Sequence, residues 1–163
     1  IVKNALKIKP NYICIVPENR KEVTTEGGLN LIKNKKRLKN IIEKFKKKKI
    51  RTSLFINPTI KDIKLSKELN VDCVEIHTGK ISNLVKLKKR YSGELDRIRR
   101  CSILAKKFDI EVHAGHGLDY ITTKILSKIK EIEEFNIGHF IIGESIFIGL
   151  SKVIKKFKSI IKG

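Results

Sequence analysis

Short apolar runs alternate with longer stretches of helical period along the whole chain. The runs predict strands at residues 12–16, 52–56, 72–77, 110–114 and 134–137. The helical periods predict helices at 30–49, 93–108 and 122–130, a short helix carrying Ile60, Ile63 and Leu69, and a segment from 139 towards 161 with breaks near Gly143 and Gly149. Strict alternation of strands and helices predicts a parallel sheet covered by helices.

Polar residues at the carboxyl ends of the predicted strands favour a (β/α)8 TIM barrel over a doubly wound sheet. They are Glu18, Asn57, Glu75 with His77, His113 with His116, and His139 after Gly138. A barrel builds its active site at that end of the strands. The glycine-rich phosphate loops of doubly wound nucleotide-binding proteins, GxGxxG and GxxxxGK[ST], do not occur.

The length limits how much of a barrel the chain can form. A closed barrel needs eight strands and roughly 250 residues, whereas the 163 residues hold five predicted strand–helix units. We therefore expect residues 1–163 to form a single domain, a partial barrel covering about strands 4 to 8. The first residue is Ile1 and the first apolar group already has helical spacing, which suggests an N-terminal truncation.

Composition excludes several classes of protein. Hydrophobic residues make up 40% of the chain, enough for a packed core and too many for a disordered tail. The longest apolar runs are far shorter than the ~20 residues of a membrane-spanning helix. No signal peptide precedes the first motif, so we expect a cytoplasmic protein that does not bind membranes.

The strongly basic charge raises the alternative of nucleic-acid binding. Lys and Arg number 37 against 17 Asp and Glu, a net charge of +20. The lysines spread over every predicted helix, and no Trp and only three Tyr are present to stack on bases. We therefore expect a solvated basic surface with no specific nucleic-acid partner, although part of the charge would suit phosphorylated ligands.

The cysteines predict neither disulfides nor a metal site. Cys14, Cys73 and Cys101 are widely separated, and no Cys/His cluster has zinc spacing. Cys14 and Cys73 lie in apolar runs, so we expect packing roles for them.

Glu75 and His116 are the candidates for acid–base chemistry. Side chains alternate along a strand, so Cys73, Glu75 and His77 share one face while Val74 and Ile76 contact helices. A carboxylate inside a barrel requires a partner or a use, and from spacing alone Glu75 can be either part of a structural ion pair or a functional group. His116 lies between Gly115 and Gly117 just after a strand, where an imidazole can exchange protons near neutral pH.

Two loops are candidates for ligand binding. Gly138 and His139 open a helix, whose free amides can bind phosphate while the glycine leaves room for the anion. Thr24 lies in a loop rich in hydroxyl residues and glycines. This loop can be either a lid over a polar ligand or a simple helix cap, and the sequence leaves both interpretations open.

Taken together, these segments resemble the pyridoxine 5′-phosphate synthase family of vitamin B6 biosynthesis. The resemblance rests on residues 16–29, 75–79, 114–118 and 136–139, which occur in the family's order and at compatible spacings. It implies a TIM barrel with extra helices, assembled as an octamer, that needs neither metal nor organic cofactor. The implied reaction condenses 1-deoxy-D-xylulose 5-phosphate with 3-amino-2-oxopropyl phosphate to pyridoxine 5′-phosphate, phosphate and water.

The same resemblance implies roles for particular residues. His116 corresponds to the proton donor and Glu75 to the transition-state stabiliser. Thr24 would contact the deoxyxylulose phosphate, whereas Gly117, Gly138 and His139 would hold the aminooxopropyl phosphate.

Some parts of the family pattern are not found. An Asn, an Asp-His pair, a basic residue, a second catalytic His and a catalytic Glu belong to the family's first three strands, which have no counterpart here. His113 and Glu144 stand where Asn and Arg are expected. We therefore expect the chain alone to bind phosphate weakly without turnover. The alternatives are another phosphate-binding barrel enzyme or a basic nucleic-acid-binding module.

Overall fold

Five parallel strands and the helices between them make up the described part of the computed structural model, which comprises residues 2–17 and 27–162. The strands are β1 (Tyr12–Ile15), β2 (Arg51–Ile56), β3 (Cys73–His77), β4 (Glu111–Gly115) and β5 (Ile132–Asn136). The helices are α1 (Val2–Ile8), α2 (Leu31–Lys46), α3 (Ile60–Glu68), α4 (Gly79–Lys86), α5 (Ser92–Lys107), α6 (Tyr120–Leu126), α7 (His139–Ile148) and α8 (Leu150–Lys162). Glu18 and Thr24, two of the predicted polar positions, lie outside the described residues.

The strand order is the same in the sheet as in the chain. Each strand pairs in parallel with the one before it, in the order β1-β2-β3-β4-β5. A doubly wound sheet reverses its order at a switch point, whereas a barrel adds every new strand on the same side. The predicted α/β class is therefore confirmed, and the sheet is compatible with a TIM-barrel-like fold.

The hydrophobic core lies between the sheet and the helices. Val74 and Ile76 of β3 are fully buried in one cluster with Ile63 of α3 and Ile98 of α5. This confirms that these two strand residues face the helices, so the alternate residues of β3 point to the other side of the sheet. That other side carries the polar side chains of β3, Glu75 and His77.

The observed helix boundaries show which local sequence signals correctly predict where a helix begins or breaks. Helix α2, predicted over 30–49, spans Leu31–Lys46 and begins after Asn30, whose side-chain oxygen accepts a hydrogen bond of 3.0 Å from the Lys33 amide. Gly149, with φ of +85°, separates α7 from α8, whereas Gly143 lies inside α7 without a break. The predicted break near Gly143 was therefore wrong, because a single glycine lowers helix stability only modestly.

Helix α4 was missed by the sequence prediction. Thr78 and Gly79 look like a turn that ends β3, yet the helix begins immediately at Gly79. The spacing of Ile81, Leu84 and Val85 was the available signal, and Ile81 is fully buried in the core.

Two further features bear on the predictions. All three cysteines are free thiols, and Cys73 and Cys101 are buried. Within the described ranges, the helices are too short or too polar to cross a bilayer.

Candidate active site

The functional candidates gather at the carboxyl ends of β3, β4 and β5. His77 ends β3, His116 follows β4 directly, and Asn136 ends β5. Parallel neighbours bring these three positions to one edge of the sheet, with His77 paired to Gly115 and Gly115 paired to Asn136. This is the edge at which barrel enzymes carry their catalytic groups.

Glu75 is held by two polar neighbours on the face opposite the helices. Asn136 Nδ2 donates a hydrogen bond of 2.9 Å to its Oε2, and Cys14 Sγ donates to the same oxygen over 3.5 Å. Burial raises the pKa of the Glu75 carboxyl, which these hydrogen bonds partly oppose. The group is therefore fixed in place and more easily protonated than an exposed glutamate.

Gly115 is required beside this carboxylate. A Cβ atom at position 115 would collide with Oε1 of Glu75. Asn136 lies close to the same point, so glycine is the residue that fits between the two neighbouring strands.

His116 adopts a strained backbone conformation that its neighbours hold in place. Its φ is +80°, and Gly117 follows with φ of +73°. Oγ1 of Thr78 lies 2.7 Å from the His116 carbonyl oxygen and 2.8 Å from that of Gly115, and the Thr78 amide donates to Gly115 as well. A left-handed backbone at a non-glycine residue is often found where function fixes it.

The ring of His116 lies against the ring of His77. Their centroids are 4.8 Å apart and their planes differ by 30°, and Phe55 meets both rings edge-on. Burial, together with the nearby His116, lowers the pKa of His77 to about 4, so His77 is neutral at neutral pH. Its Nε2 is buried without a hydrogen-bond partner among the described residues.

One cavity of about 590 Å³ collects four of the predicted site residues. His116, Gly117, Gly138 and His139 line it, with Glu144 from the next turn of α7. Helix α7 begins at His139 with no side chain capping its first amides. Amides of this kind bind anions, so the cavity can hold a phosphate group at the helix end.

Gly138 is not required by the packing of the fold. A Cβ at position 138 would meet open space, and its φ of −109° is available to any residue. The glycine therefore leaves room on the cavity side, which is what close approach of an anion to the amides of α7 needs.

A second polar group, here called the lower network, lies at the amino ends of the strands. Its members are Tyr12, Arg51, Cys73, Glu111 and His113. The Tyr12 hydroxyl is 3.0 Å from Nδ1 of His113, whose Nε2 is 2.8 Å from Glu111 Oε1. Hydrogen bonds from His113 and then Arg51 lower the pKa of Glu111. Sequence reasoning missed this network because its contacts join positions up to 101 residues apart.

Within residues 2–17 and 27–162, one set of potential metal ligands lies close together, and it belongs to the lower network. Atoms of Cys73, Glu111 and His113 lie within 4.8 Å of one another. Arg51 donates to both Cys73 and Glu111, so a guanidinium already neutralises the group and opposes a second cation. The geometry favours an ion-pair network over a metal centre.

Comparison with known proteins identifies a family whose sequences resemble the whole chain. The model of the family described as "Pyridoxal phosphate biosynthesis protein PdxJ" matches residues 1–163. Three similar relatives are each named pyridoxine 5′-phosphate synthase. The protein of Pelagibacter ubique is 69% identical over 160 residues, which cover 98% of this chain and 67% of the relative. That of Sulfurihydrogenibium sp. is 45% identical, covering 96% and 64%, and that of Campylobacter lari is 40% identical, covering 99% and 71%. The chain spans about two thirds of the length of the curated relatives it matches.

Proposed function

The chain belongs to the PdxJ family of pyridoxal phosphate biosynthesis proteins, and from this we propose that it contributes much of the active site of a pyridoxine 5′-phosphate synthase. The proposed reaction condenses 1-deoxy-D-xylulose 5-phosphate with 3-amino-2-oxopropyl phosphate to pyridoxine 5′-phosphate, phosphate and water. One observation carries the proposal: His116, Gly117, Gly138 and His139 line a single cavity at the start of α7. A proton-transfer group and an anion-binding helix end thereby meet in one place.

His116 is the proposed proton donor. His116 lines the cavity, and its left-handed backbone between two glycines holds it beyond the end of β4. A histidine placed there can protonate a leaving group of a bound phosphorylated substrate, a contribution of about 10²–10⁴-fold in rate.

Glu75 is the proposed transition-state stabiliser. Its Oε2 accepts hydrogen bonds from Asn136 and Cys14, so the carboxylate stays in one orientation. A negative charge fixed in a partly buried site stabilises the positive charge that develops when an amine condenses with a carbonyl.

The remaining residues are proposed to hold the two phosphates. Gly117, Gly138 and His139 would bind the aminooxopropyl phosphate at the amino end of α7, and Thr24 would contact the deoxyxylulose phosphate. The first three line the cavity that supports this role. The assignment of Thr24 rests on the family resemblance of the sequence.

We further propose that the five strands are about strands 4 to 8 of a TIM barrel. The one-directional strand order and the open edges at β1 and β5 support this. Helix α7 is apolar on several sides, and Ile142, Ile146 and Phe147 are exposed, which supports coverage by further elements or by other subunits. An octamer in the cytoplasm, and no turnover by residues 1–163 alone, complete the proposal.

Replacing Gly138 tests the proposed phosphate site. In the full-length protein we expect Gly138→Leu to raise the KM for 3-amino-2-oxopropyl phosphate at least tenfold, about 1.4 kcal/mol of binding energy, because the side chain fills the space before α7. Gly93→Leu is the matched control, since position 93 is also open but lies in α5 away from the cavity. An unchanged KM in Gly138→Leu would contradict the site, and a full-length protein that forms no pyridoxine 5′-phosphate would contradict the function.

A further inference from the structure

We propose that His77 is a positioning residue for His116, whose imidazole it holds by ring stacking in the orientation needed for proton delivery. The inference rests on the proposed role of His116 as proton donor. It adds a residue that touches neither substrate in the proposed mechanism and acts through the ring of its neighbour.

The stacking geometry shows a contact that several elements enforce. The two imidazole centroids are 4.8 Å apart with 30° between the planes. Phe55 of β2 meets the His77 ring at 88° with 5.3 Å between centroids, and meets the His116 ring at 65° and 6.5 Å. Stacked and edge-on pairs at these separations are favourable, so the three rings hold one another.

Gly79 leaves the space that the two imidazoles occupy. A Cβ atom at position 79 would lie 2.8 Å from Cδ2 of His116 and 2.9 Å from Cε1 and Nε2 of His77. Real Cβ atoms do not approach ring atoms that closely, so any side chain there would push the pair apart. Gly79 begins α4 with a negative φ, so the need for glycine comes from the rings and not from the backbone.

Three consecutive residues thus support one histidine in different ways. His77 supplies the stacked ring, Thr78 hydrogen-bonds the carbonyl oxygens of Gly115 and His116, and Gly79 leaves the space. Thr78 fixes the backbone of the loop but does not fix the rotation of the His116 side chain. The stacked ring supplies that second constraint.

The charge of His77 is compatible with this role. Burial and the proximity of His116 keep the pKa of His77 near 4, so His77 is neutral at neutral pH. A charged neighbour at the same distance would repel the protonated donor. A neutral aromatic ring gives the contact without that repulsion, and Nε2 of His77, which has no partner among the described residues, is not needed for it.

Two substitutions at position 77 distinguish the contribution of the flat ring from that of its nitrogen atoms. In the full-length protein we expect His77→Ala to lower kcat about 10- to 100-fold, because a proton donor that has lost its stacked ring is held less firmly in the productive orientation. The KM for 3-amino-2-oxopropyl phosphate should stay within about twofold. His77→Phe keeps a flat ring without nitrogen atoms and should restore most of kcat. If Phe is as slow as Ala, or if Ala is as fast as the natural protein, the positioning role is wrong.

A second measurement keeps the test independent of turnover. In the NMR spectrum we expect the ring protons of His116 to be shifted by the stacked ring, with the shift lost in His77→Ala and largely retained in His77→Phe. Unchanged His116 resonances in His77→Ala would overturn the proposal even if that variant folds poorly enough to lose activity. A His116→Asn variant with full turnover would instead overturn the proposed function, while the NMR result would still decide whether the two rings are coupled.

Discussion

The polar groups at the two ends of the sheet differ in whether they are already hydrogen-bonded within the fold. At the amino ends of the strands, Tyr12, Glu111 and His113 have hydrogen-bond partners inside the lower network. At the carboxyl ends, the first amides of α7 have no side-chain cap, and the helix begins beside the cavity lined by His116, Gly138 and His139. Satisfied polar groups stabilise a fold, whereas uncapped amides beside a cavity are available to bind an anion. The difference supports the proposal that the carboxyl ends of the strands carry the chemistry.

Cavities differ between the two ends as well. The carboxyl end opens into about 590 Å³ lined by His116, Gly138 and His139. The amino end has a cavity of about 350 Å³ lined by Arg51, Lys67 and Asp72 among others. There Lys67 donates to the Phe108 carbonyl oxygen, and Asp72 accepts from the Thr52 amide and hydroxyl. Arg51, Lys67 and Asp72 are therefore already used within the fold.

The largest effect on stability is expected from Gly115→Ala, at the carboxyl end of β4. The added Cβ collides with the Glu75 carboxylate between two paired strands, so one strand or the glutamate must move. We expect the free energy of unfolding to fall by about 3 kcal/mol, with loss of turnover in the full-length protein. Chemical denaturation measures this, and a change below about 0.5 kcal/mol would show that the carboxylate is not held where the hydrogen bonds place it.

Glu111→Ala tests the lower end, where we expect loss of stability without loss of chemistry. The change leaves Arg51 and the buried His113 without their shared carboxylate. A cost of about 2 kcal/mol follows for a partly exposed ion pair and a buried hydrogen bond. Activity should survive in the folded protein. A large fall in kcat with unchanged stability would reverse the assignment of the two ends.

Acid should destabilise the chain through His77. The pKa of His77 is lowered to about 4 in the folded protein, whereas an unfolded histidine titrates near 6.5. Between these two values the unfolded state binds more protons than the folded state, so stability falls as pH is lowered from about 6.5 to 4.

The contribution of His77 can be isolated by difference. We expect on the order of 1 to 2 kcal/mol, less than the full pKa shift gives because the ring is partly exposed. The variant His77→Phe has no titrating group there and should lack this part of the pH dependence. Identical pH profiles of unfolding for the two proteins would contradict the lowered pKa.

The smallest effect is expected from Gly138→Ala. Position 138 faces open space and its backbone suits alanine, so stability should change by less than about 0.5 kcal/mol. Affinity for inorganic phosphate should nevertheless fall, because the methyl group occupies the approach to the amides of α7. Isothermal titration with phosphate measures this, and unchanged affinity would place the anion elsewhere.

The sequence alone was enough to predict the units that depend on local pattern. All five strands and helices α2, α3 and α5 follow from apolar periodicity, and Ile98, Cys101 and Ala105 of α5 are buried as expected. The prediction placed β5 at 134–137, two residues later at its start than the strand Ile132–Asn136, because Glu133 and Glu134 hide the apolar alternation. Local periodicity fixes the elements but leaves their ends uncertain.

The candidate site was only partly predictable for a different reason. Single positions such as Glu75 and His116 stand out by residue type and by flanking glycines. The partners that define their state do not, because Asn136 is 61 residues from Glu75 and His77 meets His116 only when β3 and β4 pair. Strand alternation predicts that His77 shares a face with Glu75, but its contact with His116 depends on tertiary structure.

Two histidines on the same strand and its following loop give the most direct test of the central claim. His116 lies at the carboxyl end of the sheet and His113 in the lower network. The rates of pyridoxine 5′-phosphate formation by His116→Asn and His113→Asn are compared in the full-length protein. We expect His116→Asn to lower kcat by about 10²–10⁴-fold with KM nearly unchanged. His113→Asn should lower stability and leave kcat roughly as it was. A functional His116→Asn enzyme, or an equal loss of kcat in the two variants, would contradict the assignment of chemistry to the carboxyl end of the sheet.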